Sequence, residues 1–443
     1  MEINNAQYLN LKLDQWRIIP DLSHANFMLE RTSCFRLISY WRRLLLALNI
    51  LIYYSCNYLI YIHKVINMFS SKLLVAIAYV CASTLFTMDA QALTSNDLDT
   101  TGLQVIGTDH KTIILNDNHL KQVSFMEIKL SEAVKQQLYD NINEILSKQI
   151  PFQPNSSGLS ASLDIGMNGV PVFDQGNQST CVTFANTAAI DAMDSLTDGN
   201  SVSQLCNLQL DRTLRPSPVP DVFMGAFGYV VLDQTSRYGY LDVAHQENKG
   251  CGGIKAYPAH SSNIGKPMSV DEFLAAKPKP FSRNDYSPLF SYPGTFQPPT
   301  IEIAKKVLTG VKRSINKNNR LTFAVILDGR LGDAGAVGTY NNIHNDAYVL
   351  TDQIKEDIKK PGHYSAHDMV IYGYDDDACA TYQAKDGTMK KQCGLLHLRN
   401  SFGIKAGDNG DYYMTYDYFE GLLLEVFNVG RDARINSPLN YAL

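Results

Sequence analysis

Pro171-Val-Phe-Asp-Gln-Gly-Asn-Gln-Ser-Thr-Cys181-Val-Thr-Phe-Ala185 decides the reading of this chain. A glutamine, a short polar loop and a cysteine opening an apolar, helix-like run form a pattern that can make a thiol reactive. A thiol is a weak nucleophile until it ionises. The unpaired N–H groups and dipole at a helix N-terminus favour the anion. Two later stretches belong with the first: Ser365-Ala-His367-Asp-Met-Val-Ile-Tyr-Gly-Tyr374 and Leu398-Arg-Asn400-Ser-Phe-Gly403. A protonated imidazole beside a thiolate stabilises it and is stabilised in turn, and an asparagine can hold the ring by a side-chain hydrogen bond.

Each residue alone has an ordinary structural reading. A lone cysteine at a helix start is a small buried hydrophobe, and an asparagine before serine is a turn residue. Taken together, Cys181, His367 and Asn400 in that order, with Gln175 six positions before the cysteine, resemble the papain-like cysteine peptidases. The resemblance runs from about Asp164 to Val429. It implies an α+β fold in which a helical half meets a β-barrel-like half with the cleft between them. It further implies an acyl-enzyme on Cys181, with His367 protonating the leaving amine and then activating water, and Asn400 orienting the ring. Gln175 and the backbone N–H of Cys181 would bind the oxyanion; such donors contribute roughly 2.7–4 kcal/mol each. His363 competes for the histidine role but sits in a loop, whereas His367 directly precedes a strand-forming run.

Several residues depart from the family pattern. Gln178 stands where the family has a cysteine, so that disulfide is absent. Val182 follows the nucleophile in place of an aromatic, and Asn-Gln-Ser-Thr-Cys-Val is closer to the bacterial members. Phe402 replaces the tryptophan that shields the Asn–His hydrogen bond. Gly225-Ala226 is the best candidate for binding substrate backbone. Asp368 is an acid where the family has a small apolar residue, lining the subsite for the second residue before the scissile bond. The acid either selects a basic side chain there, or turns away to cap a loop or pair with a lysine or arginine.

A chain of 443 residues, 45% hydrophobic, is long enough for one large domain or two smaller ones. A net charge of −5 gives no reason to expect nucleic acid or an anionic membrane as partner. Leu44–Ile62 is apolar and about long enough to span a bilayer. From Met68 the chain has a lysine, an apolar run and an Ala90-Gln-Ala92 end, the parts of a signal peptide. The expected organisation is an upstream extension or membrane segment over 1–67, a signal peptide over 68–92, a prosegment or accessory element over 93–155 and the peptidase domain over 156–443. Export to the periplasm or outside the cell follows, with membrane contact only if residues 44–62 insert.

Cys181, Cys206, Cys251, Cys379 and Cys393 lie beyond the cleavage point. With Cys181 free, four remain, which allow three pairings. Proximity favours Cys379–Cys393, leaving Cys206–Cys251. No spacing suggests zinc, and no cofactor is expected.

Between 93 and 162, Val105–Leu115 and Val123–Leu130 alternate like strands. Ser131–Ile150 reads as a capped helix ended by Pro151, before an exposed linker at Pro154–Gly158. Helices are expected from Cys181, with a stripe of Phe184, Ala188, Ala192 and Leu196, over Val222–Ser236, near Ser269–Ala276 and over Ile301–Ile315. Strands are expected at Leu321–Leu327, Met369–Tyr374, Gly394–Arg399, Asp411–Tyr416 and Leu424–Val429. The long loop from Asp328 to Ala366 is expected to rim the cleft. The function implied is hydrolysis of proteins or peptides by an enzyme made as a zymogen, its N-terminal segment the intramolecular inhibitor. The alternatives are a transglutaminase or amide hydrolase with the same triad, or a silent peptide-binding protein.

Overall fold

The structure, a computed structural model, describes residues 101–148, 158–194, 201–214, 221–292, 294–327, 334–431 and 433. The expected extension, signal peptide and span over 1–92, most of the linker at 154–157 and Leu196 lie outside these residues. Among the described residues no helix is long and apolar enough to cross a membrane.

The chain is α+β. It opens with β1 (Leu103–Ile114) and β2 (Leu120–Leu130), an antiparallel hairpin, followed by α1 (Glu132–Lys148). Ser131 starts α1 as expected, its Oγ accepting from the Val134 N–H at 3.3 Å. After β3 (Ser162–Asp164) come the helices α2 (Cys181–Asp194), α3 (Gln204–Leu214), α4 (Gly228–Tyr238), α5 (Val243–Lys249) and α6 (Val270–Ala275). The helix expected over Val222–Ser236 divides: a 3-10 turn at Val222–Met224 ends at Gly225, whose φ of 142° no ordinary helix contains. α2 is buried on every side from Cys181 to Ala192, not along one stripe, because the strands Arg320–Leu327 and Tyr364–Gln383 cover one side and α3 and α4 cover another.

The remaining elements are β4 (Tyr286–Phe290), α7 (Ile301–Ile315), β5 (Arg320–Leu327), β6 (Ala347–Tyr348), α8 (Asp352–Ile358), β7 (Tyr364–Gln383), β8 (Met389–Arg399), β9 (Asp411–Thr415), α9 (Tyr416–Leu422) and β10 (Leu423–Val429). The sheet order is β4-β10-β5-β7-β8-β9-β6, with β2 and β3 also on β7. The expected barrel-like half is therefore an open sheet: β4 carries Pro288, β6 is two residues long, and these two ends do not pair. β7 is far longer than expected; its second half pairs with β8 through the register position that holds Cys379–Cys393. The second disulfide, Cys206–Cys251, lies in the apolar cluster around α3, and Cys181 is free.

The loop after β5 does not rim the cleft over its described part. Thr339 pairs with Thr381, and Ala347 and Val349 share a buried cluster with Ala378, Ala380 and Tyr382. Ala347 and Val349 thus cover the far half of β7, more than ten residues along the strand from His367, while Tyr348, Leu350, Ile354 and Ile358 join the main core. Residues 328–333 lie outside the described ones.

Candidate active site

Cys181 is the first residue of α2 and is 1% exposed. His367 lies on β7 opposite Val325 of β5, also 1% exposed. Asn400 follows directly on β8, which pairs with β7. Three neighbouring pieces of secondary structure thus bring the residues together, and Cys181 and His367 line one small cavity. Asn400 Oδ1 accepts from the Ser401 N–H at 2.7 Å, which fixes the amide orientation. The same oxygen lies 2.9 Å from His367 Nε2. Nε2 therefore carries the proton, and Nδ1, which has no hydrogen-bond partner, is the ring's free acceptor. Phe402 stacks on the imidazole at 5.0 Å between centroids and 11° between planes. His363 is turned to Glu127, 2.9 Å away, and stays exposed.

Gln175 is fully buried and fixed from all sides. Its backbone N–H donates to the Ser401 carbonyl at 2.9 Å, and its carbonyl accepts from the Tyr257 hydroxyl at 3.1 Å. Ser401 Oγ donates to Oε1 at 2.6 Å, which turns Nε2 the other way. The next residue, Gly176, has φ +60°, and a Cβ there would meet the Ala259 carbonyl oxygen at 2.3 Å, so the loop needs glycine.

What lies over these residues is the N-terminal hairpin. Met126, Glu127 and Ile128 of β2 pair with Ala366, Ser365 and Tyr364 of β7, immediately before His367. Gln175 Nε2 donates to the Ser124 carbonyl at 2.9 Å and to the Gln178 carbonyl at 2.8 Å. Phe125 meets the edge of His367 at 4.9 Å and Phe402 at 5.7 Å. Met126 fills the cavity beside Cys181, and a Cβ on Gly225 would meet its Sδ at 2.7 Å. On the other side Ser124 Oγ donates to Asn177 at 2.6 Å, and Lys121 Nζ donates to Asp174 and, at 2.7 Å, to the Phe402 carbonyl.

Burial under the hairpin changes the charges. The Cys181 thiol is pushed up to about 12 by burial and by the neighbouring Asp368, and burial lowers His367 to about 4 despite Asn400. The thiolate–imidazolium pair expected from the sequence is therefore absent in this covered state: both groups are neutral at neutral pH. Asp368 is buried beside Met126; burial and then the nearby Glu425 raise its pKa well above the usual carboxylate range. It makes no ion pair with a lysine or arginine among the described residues.

No family profile and no curated protein matches the chain. Among the solved structures that resemble it are cysteine proteases. Xylellain, a cysteine protease from Xylella fastidiosa, is 15% identical with a TM-score of 0.40, over 64% of this chain and 92% of its own. A Carica candamarcensis cysteine protease in complex with E-64 is 15% identical, TM-score 0.38, over 62% and 100%. Digestive procathepsin L 3 of the Tenebrio molitor larval midgut is 16% identical, TM-score 0.36, over 67% and 79%. At such distances no residue role is carried over from them.

Sequence reasoning did not find Ser401, Tyr257, Glu425 or the covering residues Ser124, Phe125 and Met126. The last three had a signal. Val123-Ser-Phe-Met126 breaks strict alternation, as a strand covered on both faces does, and all four are buried.

Proposed function

We propose that the chain is an exported papain-like cysteine endopeptidase made as a zymogen, with the hairpin and α1 as its inhibitory prosegment and the region from 156 as the peptidase. The observation that carries this reading is the hydrogen bond from Gln175 to Ser124. The amide that would bind the oxyanion is taken by a carbonyl of the chain's own N-terminal segment.

The direction of the hairpin supports inhibition rather than cleavage. In a bound substrate, the residue in the pocket beside Cys181 precedes the one whose carbonyl faces Gln175. Here Met126 in the pocket follows Ser124. The segment therefore runs the opposite way to a substrate.

With the hairpin gone, water reaches the pair and the desolvation that keeps both groups neutral is lifted. Cys181 sulfur adds to the substrate carbonyl carbon, the thiol proton passes to His367 Nδ1, and the oxyanion is held by Gln175 Nε2 and the Cys181 N–H. The C–N bond then breaks as His367 protonates the amine nitrogen, leaving a thioester. Water, deprotonated by His367, adds to that carbonyl. The C–S bond breaks, and the acid and the thiol are released. Asn400 keeps Nε2 protonated and Nδ1 free throughout. The two disulfides support an oxidising destination.

The test is intact mass after an epoxysuccinyl inhibitor, on the form from Leu93 and on one trimmed near Asn155, with Cys181→Ala as control. One adduct on the trimmed form, little on the longer one and none on the control is expected. Equal labelling of both forms refutes the inhibitory role of the hairpin. No labelling of either refutes the peptidase and leaves a silent binding protein, while transfer of the acyl group to an added amine instead of water marks a transglutaminase.

A further inference from the structure

The pocket that Met126 fills is mostly apolar; besides Cys181, His367 and Tyr292, its polar lining is two carboxyl groups, Asp368 and Glu425. They are 1% and 2% exposed. Glu425 Oε1 accepts from the Gly228 N–H at 2.6 Å, while Asp368 Oδ1 has no hydrogen-bond partner. Neither is ion-paired among the described residues, and no lysine or arginine lines the pocket.

Two acids side by side in a dry apolar site are expensive to keep. Burial pushes Glu425 up to about 7 and Asp368 well above its usual range. Glu425 caps the Gly228 N–H at the start of α4, but Asp368 Oδ1 has no such partner, and the part of the wall made by Val182, Ala226, Phe227, Ala324 and Leu424 needs no charge. The complementary ligand has an apolar stem and a cationic head, as lysine and arginine do. Met126 supplies the stem without the head, and leaves about 10 Å³ free, room for one water at most.

We propose that this pocket takes a lysine or arginine side chain of the substrate, at the second residue before the bond cut, and that Glu425 acts with Asp368 to recognise its charge. This deepens the peptidase reading and rests on it. Met126 is then a deliberately unmatched occupant: it fills the pocket without the charge contact that a substrate makes, so a cationic segment displaces it.

The experiment uses the full chain and two peptidyl acyloxymethyl ketones that differ only in arginine or leucine at that position. The rate of Cys181 alkylation is followed by intact mass. Because both probes need the same opening of the hairpin, the ratio of their rates reports the pocket alone. Each charge-assisted hydrogen bond gained is worth about tenfold or more. The arginine probe is expected to react at least about tenfold faster, and the ratio to fall toward one in Glu425→Gln and in Asp368→Asn, both of which keep side-chain shape. A leucine probe that is equal or faster on the unaltered chain overturns the inference while leaving the peptidase standing, and that comparison does not depend on any variant folding. A ratio unchanged in Glu425→Gln overturns the part given to Glu425. Failure of both probes to alkylate, even after trimming near Asn155, removes the peptidase reading and the inference with it.

Discussion

Met126→Ala separates the hairpin's hold on the site from the stability of the fold. Met126 is 4% exposed and is the only side chain of β2 lining the pocket beside Cys181. Its truncation leaves the three backbone register pairs with β7 and the Gln175–Ser124 hydrogen bond in place. Removing a buried methionine side chain costs about 2–5 kcal/mol. In the displaced hairpin that side chain is in water, so the loss falls on docking. Even about 2 kcal/mol raises the open fraction about thirtyfold. If opening is fast and reversible, epoxysuccinyl labelling of Cys181 in the full chain accelerates by the same factor. Leu120→Ala, at a residue of β2 that is 72% exposed, is the control and should label at the unaltered rate. Identical labelling rates for Met126→Ala and the unaltered chain would refute the idea that the pocket holds the hairpin down. So would rapid labelling of the unaltered chain.

Gln175→Ala in the trimmed enzyme should lower kcat by about 10²–10³. Ser401→Ala, which frees the amide to rotate, should produce a smaller loss of kcat with KM little changed; steady-state kinetics on one peptide distinguishes the two. Proton binding at the closed site has two opposing parts. His367, lowered to about 4 in the closed state from an ordinary 6.5, takes up a proton on opening, so acid favours opening as pH falls from 6.5 toward 4. Glu425, raised to about 7 from 4.5, and Asp368, also raised, release protons on opening and act with the opposite sign as pH rises above about 4.5. In the Asp368→Asn/Glu425→Gln variant the carboxyl part is gone, and the rise of full-chain labelling with pH between about 4.5 and 7, normalised to the trimmed form, should be lost; a profile identical to that of the unaltered chain contradicts it. Replacing Cys379 and Cys393 by serine should cost about 3 kcal/mol of unfolding free energy, the closure entropy of a short loop, read by denaturant titration under non-reducing conditions.

The strand and helix periods were plain in the sequence wherever one face meets water. α7 lies over Ile301–Ile315 as expected, and Thr300 caps it by accepting from the Ile303 N–H. The hairpin was legible as two alternating runs, and His367 was separable from His363 because only one precedes an apolar strand. Other features depend on contacts between distant residues. The length of β7 comes from pairing its polar second half with β8, which no local pattern reveals. The open sheet reflects which strand ends fail to meet. Glu425 sits between apolar residues of a buried strand, where an acid reads as an irregularity until the fold brings Asp368 beside it. Cys181 and His367 looked charged from their chemistry alone, but their protonation depends on what covers them.

On the proposed reading, the β2–β7 register also makes the hairpin a tethered competitor. A segment joined to the domain it blocks meets its site at an effective concentration in the millimolar range for short connections. No side-chain contact has to change for that advantage to end. One cut between α1 and β3 turns a unimolecular hold into a bimolecular one, and the same hairpin, with the same hydrogen bonds, then has a dissociation constant. Below that concentration the severed piece leaves by dilution, and above it the product of activation remains an inhibitor. The switch from silent to active is thus set by how dilute the protein becomes, as well as by whether it has been cut.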